Sequence, residues 1–173
     1  MPFVYRRVIR FHETDAAGVV YFASLLSLCH EAYEAAIAST STLNPQQFFS
    51  GAEATAVPIV HTAADFYQPL FCGDEIAITL TPKQLTSHSF EINYVVSKVA
   101  MSNADRLQPN SNQPNSHQPD KLLQALTRHV CIATDTRRRS ALPSALLSWI
   151  ADLSVPDAVS EPEPEAGLLE PGD

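Results

Sequence analysis

One apolar, helix-length segment with a carboxylate and a glycine turn at its head constrains this chain more than any other feature. It reads FHETDAAGVVYFASLLSLCHEAYE, residues 11–34. A strand-like stretch ends, Asp15 precedes the small run Ala16-Ala17-Gly18, and the spacing predicts a helix over Tyr21 to Ser39. Leu25, Leu28, Cys29, Ala32, Ala36 and Ile37 fall near one face, and little of the remaining circumference is charged. Such a helix must be largely buried, so the rest of the chain has to wrap it.

The rest reads mainly as strands. FVYRRVIRF alternates, with Phe3, Tyr5, Ile9 and Phe11 on one face and Arg6 and Arg10 on the other. A Pro/Gln/Ser-rich loop is expected over Thr40 to Ala54. Residues 56–68 are apolar on both sides. Residues 73–85 place Ile76, Ile78 and Leu80 inward, and residues 88–99 place Phe90, Ile92, Tyr94 and Val96 inward. A long β-rich stretch covers 122–136, and a short helix over 143–153 starts at Pro143. Strand, long helix, four strands is an α+β pattern, with one sheet around one helix.

Composition narrows the setting. Two segments cannot pack a core: the Asn/Pro/Gln-rich stretch 102–120 and the Pro/Glu-rich tail 154–173 are both expected to be disordered, leaving one domain over 1–153. The formal charge of −8 sits in the tail, where 151–173 hold seven acids and no Lys or Arg. Residues 1–150 carry twelve acids against eleven bases, a net of −1. No basic field for nucleic acid exists. No apolar run approaches the roughly 20 residues of a membrane span, and the N-terminus has no signal-peptide core. Cys29, Cys72 and Cys131 are odd in number and show no CxxC pair, which fits a reducing cytoplasm better than disulfides or zinc.

Asp15 admits two readings from the residues alone. Its carboxylate can be turn punctuation, accepting backbone N–H bonds. Alternatively, it stands beside apolar groups and the unpaired amides of the first helical turn near Tyr21 and Phe22, where a base or nucleophile meets a place for an oxyanion. Gly18 would allow close backbone approach there.

The stretch TDAAGVVYFASLLSLCHEAYE resembles the signature of the hotdog-fold thioesterases of the 4-hydroxybenzoyl-CoA thioesterase family. The resemblance continues through VPIVHTAADFYQPLFCGDEIAI, HSFEINYVV and RHVCIATDTRRRSALP, about residues 3–152 without the insert. Within the family it is most similar to the branch that hydrolyses 1,4-dihydroxy-2-naphthoyl-CoA in phylloquinone biosynthesis. This implies an α+β hotdog fold, an acyl-CoA substrate, a homo-oligomer (dimer or tetramer) with its site at a subunit interface, and no cofactor, metal, nucleic acid or membrane. Asp15 matches the family's catalytic carboxylate, acting on the thioester carbonyl directly or through water. The amide of Phe22 matches the oxyanion donor, with Gly18 and Tyr21 beside it. Position 30 faces the acyl ring in aromatic-acyl members, where a carboxylate often stands; here it is His30. That histidine either meets a ring hydroxyl or is satisfied by Glu34 at i+4.

Other residues carry weaker signals. His61 is either an ordinary strand histidine or part of the acyl pocket. The phosphates of coenzyme A need a basic rim, for which His88, Lys98, Arg128, Arg137, Arg138 and Arg139 are available; the arginine run reads equally as a solvated strand end. Competing functions are a thioesterase for short-chain or other aromatic acyl groups, and a non-catalytic hotdog that binds acyl-CoA or acyl carrier protein.

Overall fold

The computed structural model describes residues 1–50, 54–99 and 121–154. The expected insert and, beyond Ser154, the expected tail lie outside them. Strand β1 (Phe3–Val8) leads through a short 3₁₀ turn (Phe11–Glu13) and the Asp15 turn into helix α1 (Phe22–Ala38). Then follow α2 (Pro45–Ser50), β2 (Thr55–Ala56), β3 (Ile59–Phe66), β4 (Glu75–Thr86), β5 (Ser89–Lys98), β6 (Lys121–Val130), β7 (Ile132–Ala133) and α3 (Ser144–Leu153). Five strands form one antiparallel sheet in the order β1-β4-β5-β6-β3, and β2 pairs with β7.

The alternation expected in β4 and β5 is realised: Ile76, Ile78, Leu80, Phe90, Ile92, Tyr94 and Val96 are all buried. They face Leu25, Leu28, Cys29, Ala32, Ala36 and Ile37 of α1, also buried, in one hydrophobic cluster. Trp149 of α3 closes the cluster, its indole N–H donating to the Ala36 carbonyl at 3.3 Å. No described helix is long and apolar enough to cross a membrane.

Three expectations need correction. Phe11 does not share the inner face of β1; the chain leaves the strand after Val8, and Phe11 is 82% exposed in the 3₁₀ turn. The loop over 40–54 contains α2, started by Pro45 and with the Asn44 side chain accepting the Gln47 N–H. The long β-rich stretch breaks at Cys131, whose N–H is taken by the His88 carbonyl, and resumes as the two-residue β7.

Among the described residues the sheet has two open edges, because β1 and β3 are the ends of the strand order. β3 is exposed along almost its whole length, including Ile59, Val60 and Phe66, so its apolar character on both sides is not spent within one chain.

Candidate active site

The Asp15 turn is a closed excursion between β1 and α1. Asp15 N–H donates to the Val19 carbonyl at 2.8 Å, Gly18 N–H donates to the Asp15 carbonyl at 2.9 Å, and Thr14 bridges Val20. Gly18 has φ +78°, the left-handed conformation the turn requires. Asp15 Oδ1 accepts the Ala17 N–H at 2.8 Å, so the punctuation reading is met by one oxygen. Oδ2 has no partner among the described residues, and Asp15 is exposed in the single chain. Among the described residues, no dry pocket of the kind expected encloses Asp15.

Helix α1 begins without a side-chain cap and without an acid in its first turn. Of the two amides expected to be free, Tyr21's is not: it donates to the Glu13 carbonyl at 2.9 Å. Among the described residues, the Phe22 N–H has no acceptor. Phe22 is itself 63% exposed, beside half-exposed Tyr21.

Val19 and Val20, the returning arm of the turn, form one wall of a groove of about 300 Å³. Phe66, Tyr67, Gln68, Pro69, Leu70 and Leu123 complete it. Val20 N–H donates to the Leu70 carbonyl at 2.9 Å, stitching the two walls together. An apolar groove walled by the returning arm of a carboxylate-bearing turn suits an acyl group.

The remaining candidates divide between two ends of the sheet. Lys98 ends β5 on the side of the Asp15 turn and pairs with Asp74 at 3.2 Å. His88, Arg139 and Arg128 lie at the other end, roughly 30 Å away at the rise of a strand. There Arg139 Nη1 and His88 Nε2 are 3.4 Å apart. Arg128 pairs with Glu91 at 2.8 Å, and exposed Arg137, at φ 57°, and Arg138 form the tip of the hairpin that follows Cys131. The six proposed phosphate ligands are therefore not one cluster in this chain. His61 is exposed opposite Arg128, about 17 Å along β3 from Phe66. His30 Nε2 lies 3.4 Å from Glu34 Oε1, the i+4 pairing; both side chains are about half exposed.

Two polar groups escaped the sequence reading. Arg7, on the inner face of β1, pairs with Glu13 and Glu31, and Glu31 also accepts the Tyr5 hydroxyl at 2.6 Å. That bond raises the Tyr5 phenol above its ordinary pKa. The signal was available: alternation puts Arg7 between Tyr5 and Ile9, and an inward charge demands partners. His129 is the second. It is 1% exposed, stacked 4.6 Å from Phe90, with Nδ1 at 3.1 Å from the Val57 carbonyl and Nε2 at 3.0 Å from the Thr127 hydroxyl. Burial holds its pKa down at about 4. Burial also pushes the Cys29 thiol up to about 12, which removes it as a nucleophile.

Comparison with known proteins then decides the family. A family model of the thioesterase-like superfamily matches residues 9–150. The chain belongs to that superfamily. It is 41% identical over 155 residues to a 1,4-dihydroxy-2-naphthoyl-CoA hydrolase of Gloeothece citriformis, covering 90% of this chain and 96% of the relative. It is 46% identical over 146 residues to the same-named hydrolase of Rippkaea orientalis, covering 84% and 93%. Among solved structures, the 1,4-dihydroxy-2-naphthoyl-CoA thioesterase of Synechocystis superposes with a TM-score of 0.71 at 36% identity, covering 90% of this chain and all of that one. The architecture is a hotdog, as the resemblance implied.

Proposed function

We propose that this chain is a thioester hydrolase that converts 1,4-dihydroxy-2-naphthoyl-CoA to 1,4-dihydroxy-2-naphthoate and coenzyme A, a step of phylloquinone biosynthesis, in the cytoplasm. One observation supports the assignment of the site: the groove wall Val19–Val20 lies in the chain between the Asp15 carboxylate and the Phe22 amide, which has no acceptor among the described residues. The thioester carbonyl oxygen lies on the Phe22 N–H. The new bond to the carbonyl carbon comes either from the oxygen of a water whose proton Asp15 takes, or from an Asp15 carboxylate oxygen, in which case a water later hydrolyses the resulting acyl–Asp15 anhydride. The carbon–sulfur bond then breaks, and the thiolate leaves with its electrons. A thioester is electrophilic enough for one oriented carboxylate and one oxyanion donor, worth roughly 10²–10⁴ and 10²–10³ fold.

The site is completed by a second copy. Antiparallel pairing of two β3 edges buries Ile59, Val60 and Phe66 and brings each copy's His61 end beside the other's Phe66 end. That operation carries the second copy's Arg128 and its Arg137–Arg139 hairpin toward the Asp15 turn, where the nucleotide of the substrate must lie. It also accounts for the exposure of Asp15 in one copy. A tetramer is two such dimers.

Free-thiol release from a panel of thioesters tests the reading. The naphthoyl ester is expected to be turned over faster than short-chain aliphatic or benzoyl esters; equal rates would end the substrate choice. Asp15→Asn is expected to abolish turnover. A variant with native rates would leave only a binding protein for acyl-CoA or acyl carrier protein.

A further inference from the structure

We infer that Arg7, clamped between Glu13 and Glu31, is a positioning residue of the thioesterase reaction: it sets the distance between the Asp15 turn and the free end of α1. This rests on the roles given above to Asp15 and the Phe22 amide. The excursion 14–20 has a neck, and the neck is Glu13. Its carbonyl accepts the Tyr21 N–H at 2.9 Å, the last bond before the unbonded Phe22 amide. Its side chain is buried, with one carboxylate oxygen accepting the Arg10 N–H at 2.7 Å and the other held by the Arg7 guanidinium. Thus the main chain of Glu13 holds the start of α1, and its side chain is anchored to β1.

The same guanidinium reaches Glu31, nine residues into α1 from Phe22 and so about 13 Å along the helix axis. One planar fork therefore ties three elements: the strand that carries it, the neck of the Asp15 turn and the body of the helix. The Arg7 and Glu13 side chains are only 10% and 9% exposed, so the contact at the neck is poorly screened and its geometry tightly set, while Glu31, 43% exposed, holds the outer side of the fork. A buried ion pair of this kind is weak evidence of net stabilisation, because desolvation offsets most of the attraction. What it supplies is a fixed position. Asp15 and Phe22 lie on either side of the neck, so a loosened clamp shifts the carboxylate relative to the amide, while the groove walls, stitched through Val20 and Leu70, keep their own bonds.

The clamp predicts a split between rate and binding. With 1,4-dihydroxy-2-naphthoyl-CoA as substrate, Arg7→Met is expected to lower kcat about 10²-fold, the usual cost of an ångström-scale misplacement, with KM changed less than about threefold. Arg7→Lys keeps the charge without the fork and is expected to recover only part of that loss. Leu146→Ala in α3, distant from the neck, serves as a control with comparable thermal destabilisation and is expected to keep native kcat. A folded Arg7→Met with native kcat overturns the inference, as does an equal kcat loss in Leu146→Ala. If Arg7→Met does not fold, Arg7→Lys decides: native kcat overturns the proposal and a reduced kcat at unchanged KM supports it. Native turnover in Asp15→Asn would sink the reading of the site itself, whereas an inactive Asp15→Asn beside a native-rate Arg7→Lys strikes only the clamp.

Discussion

The two ends of the sheet differ in kind. Where β1, β3 and β5 end, at Val8, Phe66 and Lys98, the chain gathers a carboxylate on a tight turn, an unbonded amide and an apolar groove. Where β3 and β5 begin, at Ile59 and Ser89, it gathers Arg128, Arg137, Arg138 and Arg139 with His88, most of them exposed. Bond-breaking chemistry suits the first end and phosphate binding the second, yet one strand length separates them. On the proposed function, a single copy holds both halves of a site without joining them. An exposed apolar β3 between the two ends offers the means of joining them across a two-fold axis.

The largest effect is expected at the chemical end. Asp15→Asn should lower kcat about 10³-fold or more while leaving the thermal midpoint within a few degrees, because the turn keeps its Asn-compatible bond to the Ala17 N–H. Steady-state kinetics with calorimetry on the same preparation would check both.

Separating the ends should have the next largest effect. Ala63→Asp near the middle of β3 sets like charges against each other at the proposed two-fold axis, and Ala63 is exposed in the single chain. Sedimentation should then show a smaller particle, with turnover reduced about tenfold or more; an unchanged mass with native activity would remove β3 as the joining edge.

The basic end has its own titration. The folded chain holds the His129 imidazole neutral down to about pH 4, whereas unfolded it takes up a proton near 6.5. Between those values the unfolded state binds more protons. The stabilisation from neutral His129 is therefore complete above pH 6.5 and drains as the pH falls toward 4, by roughly 3 kcal/mol at most. Urea titrations at pH 7, 5.5 and 4.5 should show this slope, flattened in His129→Gln.

The smallest effect concerns the arginine hairpin. Arg138→Ala should raise KM for the CoA ester about tenfold, the value of one charge-assisted phosphate bond, with kcat unchanged. An acyl-pantetheine substrate, lacking the nucleotide, should be indifferent to the change. Equal sensitivity of both substrates would make the arginines a solvated strand end after all.

Periodicity alone dictates much of this architecture. The helical spacing of Leu25, Leu28, Cys29, Ala32 and Ala36, and the alternation of Ile76, Ile78, Leu80 and of Phe90, Ile92, Tyr94, Val96, are local patterns with one burial solution each. The Asp15–Gly18 turn was legible too, since its conformation needs a glycine and its carboxylate bonds two residues on. Long-range contacts settled the rest. Glu13 takes the Tyr21 amide and leaves Phe22's alone; Arg7 finds Glu31 across 24 positions; Lys98 lands on Asp74 at the Asp15 end of the sheet. Spacing along a chain carries no information about which antiparallel end a residue reaches, because that depends on strand pairing, a contact between segments far apart in sequence.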